Sequence, residues 1–114
     1  MIKRMRGTLP VVIVRPSIIQ GCYKDPFAGW TDTIAASGFQ MLMTLNGMYH
    51  FIHGSNNTVL DVVPCDFVSN AILVQTVYTA IQAEPQLNVI HSCTSVANPL
   101  KIKQVIHLMK EYDR

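Results

Sequence analysis

Charge is scarce in this sequence: Asp, Glu, Lys and Arg make up 14% of its 114 residues, against roughly a quarter in an average soluble domain. Hydrophobic residues reach 49% and the mean hydropathy is +0.24. Disordered, collagen-like and acidic-tail classes are thereby excluded, because such chains lack the apolar residues that offset ordering entropy. Nine Lys and Arg against seven Asp and Glu give a net charge of +2. A nucleic-acid partner is not expected, since such binders concentrate their cations into a patch. The one basic cluster here, Lys3, Arg4 and Arg6, reads as a solvated helix end or tail.

Cysteine and long apolar runs are also in short supply. Cys22, Cys65 and Cys93 lie far apart and form no CxxC, which argues against a disulfide scaffold or zinc ribbon and for a reducing compartment. The runs 11–14 and 71–74 are only four residues long, short of the roughly 18 that a membrane span needs. The opening MIKRMR carries no apolar core of a secretory signal.

Motifs of catalysis are missing too. The glycines at 7, 21, 29, 38, 47 and 54 compose no GxGxxG turn, so no phosphate cradle stands at a strand-to-helix junction. No Tyr is followed four residues later by Lys, and there is no GxSxG or Walker pattern. No catalytic set can be assembled from these residues alone. His50 and His53 form an HxxH pair without the i, i+4 helical spacing or an acidic companion that a metal site uses, and no metal is expected.

What is present reads as one small α/β domain. Residues 9–15 (LPVVIVR) are a β-branched run without polar alternation, the pattern of a strand buried on both faces. Residues 20–33 form a loop carrying Tyr23, Phe27 and Trp30. A helix over 34–45 stops at Asn46-Gly47. Short strands are expected at 48–52 and 58–63. Asp66 is read as the N-cap of a helix whose apolar stripe is Phe67, Ala71, Val74, Tyr78 and Ile81, with Glu84-Pro85 ending it. A strand at 88–92 and a last helix with Ile102, Val105, Ile106 and Met109 inward complete the order. Arg15-Pro16-Ser17 closes the first strand, and in a doubly wound sheet the carboxyl ends of strands face the ligand crevice. Asp61 and Asp66 are read as a solvated carboxylate and a cap rather than an acid–base pair.

Four segments in this order resemble the fatty acyl-CoA reductases, members of the extended short-chain dehydrogenases. LPVVIVRPSII (9–19) followed by KDPFAGWTD (24–32) is similar to that family's LPVxIVRPSI and KEPFPGWxD segments. VLDVVPCDFVSNA (59–71) resembles its DVVPVDFVVNA stretch, and SVANPL (95–100) its SSxxNPL turn. The likeness runs over about residues 9–110. It implies a partial Rossmann-like fold, with residues 1–114 corresponding to the C-terminal part of the reductase domain. The glycine-rich turn and the catalytic Tyr and Lys would then lie upstream of Met1, in a missing N-terminal half.

The activity implied is NADPH-dependent reduction of a long-chain acyl-CoA to a fatty alcohol, with this chain inactive by itself. Pro16, Ser17, Ile18 and Ile19 match the segment that lines the nicotinamide pocket, where backbone amides would hold the carboxamide and apolar side chains pack on the ring. Phe27 and Trp30 match a loop toward the acyl substrate. Asp66 and Arg15 are taken as structural. A cytosol-facing location, with peroxisomal or endoplasmic-reticulum association, is what the family suggests. Alternatives are a reductase of carrier-bound thioesters, a sugar-nucleotide epimerase on the same scaffold, and a non-catalytic interaction module.

Overall fold

The computed structural model describes residues 1–34, 36–50, 53–82 and 87–112. A four-residue helix α1 (Ile2–Met5) leads into β1 (Val11–Pro16) and β2 (Ile18–Gln20). Then come α2 (Ala36–Leu45), β3 (Val59–Leu60), β4 (Val62–Pro64), α3 (Cys65–Ile81), β5 (Leu87–Ser92), β6 (Leu100–Lys101) and α4 (Ile102–Tyr112). The α/β reading holds, and parallel pairing accords with a partial Rossmann-like domain. Among the described residues, two of the three strand pairs are parallel, and parallel neighbours need long crossovers, here carried by α2 and α3.

The β-branched strand begins at Val11 rather than Leu9, and it runs through Pro16, which pairs with Ser92. Leu9 is exposed. Among the described residues β1 has β5 as its one partner, and its side chains are half-buried up to Val14 and exposed at Arg15 and Pro16. A run suited to burial on both faces is thus covered on less than that. Its backbone remains open along the other edge, which is where a further parallel strand would bond.

The single strand anticipated over 58–63 divides in two. β3 pairs antiparallel with β6, and β4 pairs parallel with β2. Asp61 is the residue between them, at the point where the chain changes partners. β2 and β6 were not foreseen, being three and two residues long; pieces so short carry no period of their own. At 48–52, Met48 to His50 form no strand, and Phe51 and Ile52 lie outside the described residues. The expected stop at Glu84-Pro85 lies outside them too.

α3 corrects the sequence reading most. Pro64 is its N-cap, and Asp66 sits inside the first turn. The stripe expected inward faces outward instead: Phe67, Val74, Tyr78 and Ile81 are all exposed, as are Leu73 and Val77. The covered face is Val68, Ala71, Gln75 and Thr79, at helical spacing of three and four. This helix is apolar on every side, so hydrophobic periodicity cannot choose its buried face. α4 behaves as anticipated: Val105 is buried, and Ile102, Ile106 and Met109 are half-buried.

The buried hydrophobic residues among those described are few: Cys22, Val63, Val68 and Val105. The radius of gyration is 17.9 Å, against about 13 Å for a compact domain of this length. Accessible surface totals 8824 Å², where a compact monomer of 12.7 kDa exposes about 6,200 Å². The difference is of the size that an obligate interface removes from water.

Candidate functional site

The parallel strands β2 and β5 are each followed by a loop, and two aspartates organise those loops. Asp66 is 8% exposed. One carboxylate oxygen accepts the amide of Tyr23 at 2.9 Å, and the other accepts those of Lys24 at 2.9 Å and Asp25 at 3.3 Å. The Phe67 amide adds a contact at 3.2 Å. The Tyr23 amide, first, and then those of Lys24 and Asp25 hold the Asp66 carboxyl below its ordinary range, against the opposing pull of burial. Asp66 is therefore no N-cap: it ties the aromatic loop to the first turn of α3. The Tyr23 ring meets Phe67 edge-on with centroids 5.7 Å apart, reinforcing the same junction.

That loop closes on itself. Cys22 donates its amide to the Trp30 carbonyl at 2.9 Å, and Gly29 donates to the Cys22 carbonyl at 2.8 Å. Gly21 permits this approach: a Cβ there would stand 2.9 Å from the Gly29 carbonyl oxygen. Gly29 itself has φ of +82°, a conformation that glycine takes at no steric cost.

Asp61 does for the 94–95 loop what Asp66 does for 23–25. Its carboxylate accepts the Thr94 amide at 3.2 Å, the Ser95 amide at 3.3 Å and the Ser95 hydroxyl at 2.9 Å. Burial pushes this carboxyl up, and the Ser95 hydroxyl, the Thr94 amide, the Ser17 hydroxyl and the Ser95 amide together hold it down; the net position is below the ordinary range. Ser17 lies close enough to take part in this, yet its buried oxygen makes no hydrogen bond of regular geometry. Asp61 is half-buried rather than fully solvated, and it is not paired with Asp66 for proton transfer, since each is occupied with its own loop.

The four residues of the cofactor-lining segment are differently placed. The Ser17 amide donates to the Ser92 carbonyl at 3.0 Å and the Ile18 amide to the Asp61 carbonyl at 3.2 Å. Both are committed within the chain, so neither is available to a ligand carboxamide. Pro16 is bound into the β1–β5 pairing. Ile18 and Ile19 are partly exposed, at 37% and 46%, and offer apolar surface at a parallel strand end.

A cleft of about 580 Å³ opens between the end of β2, the aromatic loop and α2, within the usual range of about 300–1,000 Å³ for ligand sites. Ile19 and Trp30 both line it, with Met41, Leu42 and Leu45 of α2 opposite and Cys65 at the base of α3. Of the residues singled out from sequence, these two are brought together. Pro16, Ser17 and Ile18 do not line it, and neither does Phe27, which is 61% exposed. The α2 residues were missed as site residues because their apolar pattern is that of any core-facing helix.

His50 and His53 line two separate smaller pockets beside α4. No group of three or more His, Cys, Asp or Glu that could hold a metal is found among the described residues. No helix among them is long and apolar enough to cross a membrane.

Residues 1–72 match the profile of the NAD-binding family described as Male sterility protein. Among curated relatives, the chain is 37% identical over 112 residues to fatty acyl-CoA reductase 2, chloroplastic, of Arabidopsis thaliana, covering 96% of this chain and 18% of that protein. It is 32% identical over 107 residues to fatty acyl-CoA reductase 1 of Homo sapiens, covering 93% of this chain and 21% of the relative. With the alcohol-forming fatty acyl-CoA reductase of Simmondsia chinensis the identity is 28% over 112 residues, covering 98% and 23% respectively. The chain thus spans about a fifth of the length of these relatives. A profile matched over more than half its residues, in the segments that order β1 to α3, makes this chain a member of the male sterility protein family, the fatty acyl-CoA reductases, with a nicotinamide-cofactor-binding domain.

Proposed function

We propose that this chain supplies the part of an NADPH-dependent reductase domain where the nicotinamide end of the cofactor meets the alkyl chain of a long-chain acyl thioester. The observation that carries the reading is the cleft shared by Ile19 and Trp30. Ile18 and Ile19 fit a flat, weakly polar ring: they are exposed apolar side chains at the carboxyl end of parallel strands, the usual place for such ligands. Nothing in the sequence fits the pyrophosphate, for which a glycine-rich turn is needed. The fit is to the ring end alone, and the remainder of the cofactor would be held by the rest of the reductase domain.

Bound there, the cofactor supplies a hydride to the thioester carbonyl. The residues of this chain bind and exclude water. Trp30, Met41, Leu42 and Leu45 bury methylenes of the acyl chain at about 0.8 kcal/mol each. Asp66 holds the loop that carries Trp30, and Ile19 forms the wall between the two ligands. The proton donor for the developing oxyanion would be a Tyr elsewhere in the reductase domain, since no Tyr here is followed four residues later by Lys.

Trp30 is the single tryptophan, so its fluorescence reports on the cleft directly. Titration with a long-chain acyl-CoA should shift the emission to the blue and saturate, while free coenzyme A leaves it unchanged. An absent response, or the same response to coenzyme A, would overturn the acyl assignment.

A further inference from the structure

Two of the three cysteines meet at the base of the aromatic loop. Gln20 pairs with Pro64 at the last rung of the β2–β4 ladder, which puts Cys65 one residue and Cys22 two residues beyond it. The Tyr23 amide, one residue past Cys22, donates at 2.9 Å to the carboxylate of Asp66, one residue past Cys65, so the two cysteines flank a bonded pair. Both are free thiols. Their exposures differ: Cys22 is 5% exposed, whereas Cys65 is half-buried and lines the cleft. Cys93, the third, is exposed on the loop after β5.

We propose that Cys22 and Cys65 form a reversible dithiol–disulfide pair that takes low-molecular-weight disulfides, such as oxidised glutathione, as its oxidant. Cys65 reacts first because reagents reach it through the cleft. Its thiolate attacks one sulfur of the oxidant, breaking that disulfide and releasing one small thiolate, and a mixed disulfide forms at Cys65. Cys22 then gives up its proton and attacks the Cys65 sulfur, displacing the second small thiol. Two electrons pass from the protein thiols to the oxidant, and the two protons leave with the released thiols. Burial pushes the Cys22 thiol up, which suits the resolving role and keeps it from reacting first.

The bond would staple the start of the aromatic loop to the first turn of α3. Cys22 is also the residue whose amide and carbonyl close that loop on Trp30 and Gly29. Oxidation therefore fixes the loop beside the cleft, and it does so whether or not the cleft takes an acyl chain.

The test is peptide mapping of the 114-residue chain after incubation with oxidised glutathione and quenching with an alkylating reagent, once under native conditions and once in urea. Under native conditions the expected product is a Cys22–Cys65 cross-linked peptide, with Cys93 recovered as a glutathione adduct or alkylated thiol. In urea the preference disappears, and dithiothreitol returns all three thiols. With Cys65→Ser, Cys22 should stay reduced for as long as the chain stays folded, because its partner is gone. Glutathione adducts on Cys22 and Cys65 separately, or pairing of either with Cys93 in the native sample, would overturn the proposal.

Discussion

The Tyr23 amide donates to the Asp66 carboxylate at 2.9 Å across 43 positions of sequence. With the neighbouring amides of Lys24 and Asp25 on the other oxygen, this bond makes the approach to Trp30 a branch of α3 rather than a free loop. The helix in turn has its rotation set: with Asp66 turned toward the loop, Phe67 and the apolar positions beyond it face out.

Replacing Asp66 by Asn keeps the size but removes the charge that two of its three loop contacts use most fully. Amide exchange at residues 23–25 should accelerate on the order of tenfold or more, measured by native-state hydrogen exchange. The rest of α3 should change little. Unaltered exchange at 23–25 would remove Asp66 from this role.

Acid should release both loops. Asp61 and Asp66 titrate below the ordinary range in the folded chain, so the folded state binds fewer protons than the unfolded one over that interval. Their contribution is fully present above the unfolded carboxylate value of about 4 and is lost as pH falls through the lower folded values. Denaturant unfolding against pH should show a plateau above about pH 5 and a decline below pH 4. The decline should be shallower in Asp61→Asn and in Asp66→Asn.

Gly21→Ala places a Cβ 2.9 Å from the Gly29 carbonyl oxygen, and backbone cannot step aside as a flexible side chain does. The loop must open or strain, at about 1–3 kcal/mol. Denaturant unfolding should report that loss, and Trp30 emission should move to the red as the cleft wall loosens.

Leu73 and Val77 are 64% and 63% exposed. Changing both to Lys should leave the chain's own stability within about 0.5 kcal/mol per site, because neither is part of its core. Sedimentation velocity should show less self-association, since a contiguous apolar face is what draws copies together. Loss of folding would mean that this face is used within the chain.

Much of this architecture is legible in the residues, and what is not has identifiable causes. The β-branched run at 11–14 announces β1, and Val105 with its neighbours announces the inward face of α4, because one period dominates each. Asn46-Gly47 marks the end of α2, with Gly47 at φ of +69°. α3 is ambiguous for the opposite reason: a helix apolar all round offers no stripe to read. Asp66 looks like a cap because its type and position suit one, but its partners lie more than 40 residues away. Asp61 has the same character. Of the site, the likeness of 9–19 and 24–32 to the reductase segments points to Ile19 and Trp30, and the cleft joins them. The amides of Ser17 and Ile18 could not be judged from sequence, because their acceptors, Ser92 at the end of β5 and Asp61 between β3 and β4, lie more than 40 residues along the chain.

The proposed function requires this chain to be an exchangeable part of a fatty acyl-CoA reductase. The decisive measurement is fatty-alcohol formation by the human relative after its matching segment, 32% identical over 107 residues, is replaced by this chain. With NADPH and a long-chain acyl-CoA, the hybrid should form alcohol within roughly tenfold of the parent rate, about 1.4 kcal/mol in the barrier. A Trp30→Ala hybrid should need more acyl-CoA to reach half its maximal rate. A hybrid that folds and binds NADPH but forms no alcohol would contradict the account.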